Sequence, residues 1–220
     1  MMRDWTVVIP VKRLSTAKSR LRGAVPDARH ADLALAMVRD TVRAVLAGSA
    51  VGELLVVTDD PVVAAAAGEL GARVVPDRPA TDLNEAMRFG ADEAAGLSGA
   101  RAALAGDLPA LRPAELDAAL AAAGDTSARG GRSFVADAAG TGTVLLTARP
   151  GVSLDPRFGT GSAAAHAASG AAALTGDWPG LRQDVDTPAD LRAVLALGAG
   201  GYTLGLLRDL GLTMRRSPAA

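Results

Sequence analysis

Apolar residues fall in short separated runs along this chain, and the period of each run predicts an element. Trp5–Val11 is an almost continuous apolar, β-branched run, stopped by Pro10 and the basic residues beyond it, and predicts a buried first strand. Over Pro26–Ala47 the pattern changes to helical spacing, with Leu33, Met37, Val38, Val42, Val45 and Leu46 on or near one face. Glu53–Thr58 predicts a second strand, ended by Asp59-Asp60-Pro61. Val62–Leu70 predicts a helix closed by Gly71, and Arg73–Val75 a short third strand. Asp82–Ala95 is helical in spacing, and Arg101–Ala105 predicts a fourth strand against the weak strand propensity of its alanines.

The second half is less regular. Pro113–Ala123 predicts a helix, Ser133–Ala136 and Thr143–Thr147 a strand pair across an Asp137–Gly142 turn, and Gly161–Ser169 a further helix. Pro188–Leu197 starts with Thr187 as cap, Pro188 in the first turn and Asp190 three residues after the cap. Gly198–Gly201 breaks the pattern, and Tyr202–Leu210 predicts a last short helix. Strands alternating with helices imply a mostly parallel, doubly wound α/β sheet. Ligands of such sheets sit beyond the carboxyl ends of the strands, so chemistry is expected just after them.

Length and composition narrow the function. The 220 residues suffice for one α/β domain, expected over 1–214, with a flexible tail at 215–220 and a mobile stretch at Ala121–Gly131. A hydrophobic share of 49% and a charged share of 21% describe a globular protein rather than a disordered one. A net charge of -1 gives no bulk electrostatic reason to bind duplex nucleic acid. The absence of cysteine removes disulfides, thiolate metal sites and cysteine nucleophiles, and is compatible with a cytoplasmic location. No run is long enough for a membrane span.

Five segments carry candidate chemistry. Lys12, Arg13, Lys18 and Arg20, interleaved with Ser15, Thr16 and Ser19, follow directly on the first strand. Compact positive charge there suits a polyphosphate, and a solvated basic loop is the plain alternative. Asp107, in Gly106-Asp107-Leu108-Pro109, lies just beyond the fourth strand. Magnesium takes one or two carboxylates with phosphate oxygens and water, whereas a turn-capping role needs no ligand. In an extended Gln183–Thr187, Asp184 and Asp186 project to one side and repel unless a cation or donors lie between them. The alternative places them at the start of the next helix, where the dipole favours negative charge. Phe158-Gly159-Thr160-Gly161-Ser162 leads into a helix and offers backbone and hydroxyl donors to an anion, as Thr141-Gly142-Thr143 does more weakly. Asn84 could read a base edge or ribose, or belong with Thr81 or Asp82 to a helix cap. Taken together, Asp107, Asp184 and Asp186 point to a shared Mg²⁺ site.

His30 reads as lying on an exposed helix start, and His166 as a packing or capping residue. The chain has no G-x-S-x-G, Walker A or G-x-G-x-x-G sequence, which argues against serine hydrolase, P-loop kinase and dinucleotide dehydrogenase.

The segments Ile9–Leu21, Val56–Pro61, Asp82–Met87, Gly106–Leu111, Gly140–Leu146, Phe158–His166 and Asp184–Leu191 resemble, in order, those of the 2-phospho-L-lactate guanylyltransferase family. That family includes actinobacterial members that use phosphoenolpyruvate. The chain departs from the pattern at Asp82, where glycine is expected before the Leu-Asn pair. The resemblance implies an αβα nucleotidyltransferase fold, glycosyltransferase-A-like, with a mixed, mostly parallel sheet. It implies transfer of GMP from GTP to a phosphorylated three-carbon acid with release of diphosphate. It further implies Mg²⁺ on Asp107, Asp184 and Asp186, and the acid's carboxylate on Thr143, Gly159 and Ser162. Lys12, with Arg13 and Lys18, would stabilise the triphosphate. Phosphoenolpyruvate is the favoured acid, because an alanine- and arginine-rich composition suggests an actinobacterial source. The competing expectations are a molybdopterin or sugar-phosphate nucleotidyltransferase, and a regulatory protein that binds nucleotide without turnover.

Overall fold

A computed structural model describes residues 5–14, 25–77, 82–95, 99–125 and 130–212. Lys18 and the rest of the basic loop beyond Leu14, Thr81, and the stretch at 213–220 lie outside the described residues. The same is true of 126–129 in the stretch expected to be mobile.

Seven strands form one sheet in the order β3-β2-β1-β4-β6-β5-β7. They are β1 (Trp5–Pro10), β2 (Val51–Val57), β3 (Arg73–Val75), β4 (Ala100–Leu104), β5 (Arg132–Ala136), β6 (Thr143–Ala148) and β7 (Ala172–Ala173). Only β6 runs against its neighbours, pairing antiparallel with both β4 and β5. The helices are α1 (His30–Leu46), α2 (Pro61–Leu70), α3 (Leu83–Ala95), α4 (Pro113–Asp125), α5 (Ser162–Ala168), α6 (Pro179–Arg182), α7 (Pro188–Leu197) and α8 (Gly201–Asp209). Every element expected from the sequence is present within about three residues, except that the first three residues of the Asp27–His30 turn are 3-10 rather than α. The two-residue β7 and the four-residue α6 were not foreseen, being too short to show a period.

Alternation along the strands divides the core. Val7 and Ile9 of β1 pack in a cluster with Ala34, Val38 and Val42 of α1 and Leu116 and Leu120 of α4. Val8, between them, faces Ala86, Met87 and Ala91 of α3. Strand side chains point to opposite faces in turn, and each face is covered by helices, giving three layers. The alanines of β4 follow the same rule, with Ala102 in the first cluster and Ala103 in the second. Their wholly buried position between β1 and β6 overrides their low strand propensity. A third cluster joins Leu33 and Met37 of α1 to Leu191, Val194 and Leu207 of α7 and α8.

Caps set the helix ends. Asp60 accepts the N–H groups of Val62 and Val63 to start α2, and Gly71 ends it at φ 99°. Thr187 and Asp190 form a reciprocal capping box at α7. Among the described residues no helix is long and apolar enough to cross a membrane.

Candidate active site

The sheet's direction decides where the chemistry gathers. The segments after β1, β4 and β5 leave the sheet at one edge, and because β6 is reversed, its first residue, Thr143, arrives at that same edge. A cavity of about 930 Å³ opens there. Lys12, Arg13, Asp107, Thr143, Asp184 and Asp186 all line it, and so do Gly159 and Ser162. Apolar side chains line it as well: Val11, Leu14, Ala34 and Val38 from one face of the sheet, and Leu83 and Met87 from the other.

The basic segment is fixed on two sides. The backbone N–H of Leu14 donates to the carboxylate of Asp60 at 2.9 Å, so the residue that caps α2 also holds the loop. Burial alone would raise the Asp60 carboxyl, but the N–H groups of Leu14, Val62 and Val63, with the charge of Arg13, hold it below the usual carboxylate range. Arg13 donates to Asp59 at 2.9 Å. Lys12 donates to Asp77 at 2.8 Å.

The Asp107 turn is braced by α1 and β6. The N–H of Leu108 donates to the Thr41 hydroxyl at 3.0 Å, and that hydroxyl donates to the Met37 carbonyl at 2.9 Å. The N–H of Ala105 donates to the Val144 carbonyl at 2.8 Å. The second acidic segment is held by Glu115, which accepts the N–H groups of Gly180 (3.2 Å) and Leu181 (2.9 Å) at α6. Buried Val185 then separates Asp184 from Asp186, and both acids reach the cavity, as an extended segment requires. Thr187 and Asp190 form the cap of α7, and Asp186 stands directly before it, at the positive end of the helix dipole.

All three acids therefore meet one cavity, although among the described residues no three Asp, Glu or His side chains converge into a ready-made metal cage. Hard carboxylate oxygens beside a basic loop fit Mg²⁺, which completes its shell with water and phosphate oxygens and needs no protein cage.

The glycine loop, also part of the lining, has φ 134° at Gly159 and 72° at Gly161, conformations that disfavour a side chain. The expected anion site at the start of α5 differs from the structure. The N–H groups of Ser162 and Ala163 donate to the carbonyls of Gly159 and Thr141, both at 3.1 Å, so those first helix donors serve the fold. Ser162 and Thr143 line the cavity here, together with Thr141 and Thr160.

Asn84, expected to read a base edge or ribose or to belong to a helix cap, has a different neighbour. It does not line the cavity. Its Nδ2 donates to the Phe158 carbonyl at 3.1 Å, and its Oδ1 accepts the Phe158 N–H at 2.6 Å. The amide thus clamps the glycine loop. Asp82, the departure from the expected pattern, starts α3 by accepting the Glu85 N–H at 2.8 Å.

Three residues were not foreseen. Asp77 pairs with Lys12, and its position just after β3 was the available signal. Asp137 lines the cavity and shapes its turn, accepting the N–H groups of Thr141 (2.9 Å) and Gly142 (2.8 Å). His166, expected to pack or cap, is fully buried and bonded to both Thr143 and the backbone of Arg157. It lies one helical turn after Ser162, a spacing that places both on one face of α5.

The chain is similar to several known proteins. The phosphoenolpyruvate guanylyltransferase of Salinispora arenicola (strain CNS-205) is 60% identical over 219 residues, covering 99% of this chain and 100% of that protein. That of Geodermatophilus obscurus is 57% identical over 212 residues, covering 94% and 95%. The solved structure of 4-diphosphocytidyl-2C-methyl-D-erythritol synthase shares the fold, with a TM-score of 0.60 at 12% identity, over 89% of this chain and 99% of that one. The model of the family described as "Guanylyl transferase CofC like" matches residues 5–220, and the chain belongs to that family.

Proposed function

We propose that this enzyme transfers GMP from GTP to phosphoenolpyruvate, forming enolpyruvoyl-diphosphoguanosine and diphosphate, as a step of coenzyme F-420 biosynthesis in the cytoplasm. The observation that carries the reading is the meeting of Lys12, Asp107, Asp184, Asp186, Thr143 and Ser162 on one cavity. The choice of acid is supported by relatives at 60% and 57% identity that bear the name phosphoenolpyruvate guanylyltransferase.

In this reading the triphosphate lies along the basic segment, with Lys12 and Arg13 compensating its charge, joined by Lys18. The apolar side chains of Val11, Leu14, Leu83 and Met87 suit the nucleoside. Thr143, Gly159 and Ser162 hold the acid's carboxylate. An oxygen of the acid's phosphate forms a bond to the α-phosphorus of GTP, and the bond to the diphosphate breaks. No general base is needed, because a phosphate dianion already carries the attacking electron pair. Asp107, Asp184 and Asp186 would hold Mg²⁺, which when bound neutralises phosphate oxygens and aligns the displacement. The chain's own contribution is position: fixed charges and donors around two reactants.

A competition assay tests the reading. GTP, Mg²⁺ and equal amounts of phosphoenolpyruvate, 2-phospho-L-lactate and 3-phospho-D-glycerate are incubated with the enzyme, and products are resolved by mass. The enolpyruvoyl product should dominate. A dominant lactyl or glyceryl product would reassign the acid, and GTP binding without diphosphate release would overturn the enzyme assignment.

A further inference from the structure

The two nitrogens of His166 face different segments of the acid-binding wall. The backbone N–H of Arg157 donates to Nε2 at 2.9 Å. Nδ1 lies 2.9 Å from the hydroxyl oxygen of Thr143. A peptide N–H can only donate, so Nε2 carries a lone pair. A neutral imidazole has one N–H, which therefore belongs to Nδ1. The ring is fully buried between Phe134 and Phe158, at centroid distances of 5.9 and 5.2 Å. Burial first, then the charges of Arg132 and Arg157, oppose a second proton, and Asp155 only partly offsets them.

We propose that His166 is a positioning residue that sets the polarity of the Thr143 hydroxyl, making it a donor to an anionic group of the acceptor acid. Oγ1 receives the Nδ1 proton, so the hydroxyl's own proton is directed away from the ring, and Thr143 borders the cavity. With the other tautomer the hydroxyl would donate to the ring and present only lone pairs, which repel a carboxylate. The same imidazole holds the Arg157 N–H while Asn84 clamps the next residue, Phe158. One buried ring thus couples the hydroxyl of β6 to the loop that carries Gly159. The inference rests on the reading of Thr143 as an acid contact.

Two measurements test it, and they fail separately. The chain has two histidines, so nitrogen-15 spectra of the full-length enzyme contain two imidazoles, and His30→Gln assigns them. At neutral pH His166 should be the neutral tautomer protonated on Nδ1. The Nε2-protonated or the charged form would overturn the inference with no reference to substrate, and this readout needs no variant of His166 to fold.

The second measurement is kinetic. In His166→Gln the side-chain amide reaches the Nε2 position and keeps an acceptor for Arg157, but loses the donor to Thr143. In His166→Asn the amide falls near Nδ1 and keeps that donor. The Gln variant should raise KM for phosphoenolpyruvate about tenfold, as expected for one hydrogen bond to a charged group. KM for GTP should stay within about twofold, and the Asn variant should recover most of the loss. Equal effects of Gln and Asn, or a parallel rise in both KM values, would overturn the inference. Thr143→Val with an unchanged KM for the acid would instead overturn the acid-site reading.

Discussion

The ammonium of Lys12 sits 2.8 Å from Oδ2 of Asp77, and the partners differ in exposure: 39% of the lysine side chain is accessible against 2% of the aspartate. The lysine is thus anchored from below while its upper face meets the cavity. Lys12→Met leaves a buried carboxylate without its cation, so stability should fall by about 1–3 kcal/mol, less than for a fully buried pair. Adding Asp77→Asn should recover most of that stability but none of the GTP use. Thermal melts and diphosphate release, measured on both variants, separate the two effects. Recovery of activity in the double variant would show that Lys12 does not act on the triphosphate.

Asp107→Asn leaves the Leu108 N–H to Thr41 bond in place, since that bond does not involve the carboxylate. Product formation should drop by roughly a hundredfold or more, because the amide carries no charge to hold a cation against the reacting phosphates. Near-normal turnover would remove Asp107 from the chemistry.

Acid should weaken the fold through His166. Its folded pKa lies at about 4, below the ordinary 6.5, because burial and then Arg132 and Arg157 disfavour the charged ring. Between these values the unfolded chain binds the extra proton and the folded chain does not. Stability from this group is therefore fully present above about pH 6.5 and is lost as pH falls towards 4. From about pH 7 to pH 4.5 the Tm of the native protein should fall more steeply than that of His166→Asn, which has no imidazole at that position. Equal slopes would show that the ring does not titrate as its surroundings require. Asp60, Asp117 and Asp155, whose pKa values are lowered, add their own losses at more acid pH in both proteins.

Two glycine-to-alanine changes should act in opposite directions. An added Cβ at Gly68, within α2, meets nothing within 4 Å, so Gly68→Ala should stabilise by about 0.5–1 kcal/mol. At Gly180 the Cβ would meet the Ala110 carbonyl oxygen at 2.2 Å and Glu115 Oε2 at 2.7 Å. Gly180→Ala should push α6 away from the Asp107 side of the cavity, lowering both Tm and turnover. Melts and the diphosphate assay read both variants, and a neutral Gly180→Ala would show that α6 does not set the spacing of the acids.

Much of the fold was legible because its signals are local. β-branched runs, helical spacing, the Gly71 cap and the Thr187 capping box each lie within a few residues, and each formed where the pattern placed it. The reversal of β6 was expected only as one half of a strand pair; its insertion between β4 and β5 depends on long-range pairing. β7 and α6 had no period to read, and α6 exists where Glu115, some 65 positions earlier in the chain, receives its N–H groups.

The sequence by itself determined the kinds of groups available: three acids, a basic segment after the first strand, two hydroxyls and a glycine loop, each next to an element boundary. The tertiary structure decided which of them share a cavity, since that depends on strand order and on which edge each strand leaves. It also gave two residues partners far away in the chain. Asn84 holds the Phe158 backbone, and His166, packed as expected, also bonds the Thr143 hydroxyl. A side chain's chemistry is written in its type, whereas its partner is whatever the packed chain brings within about 3 Å.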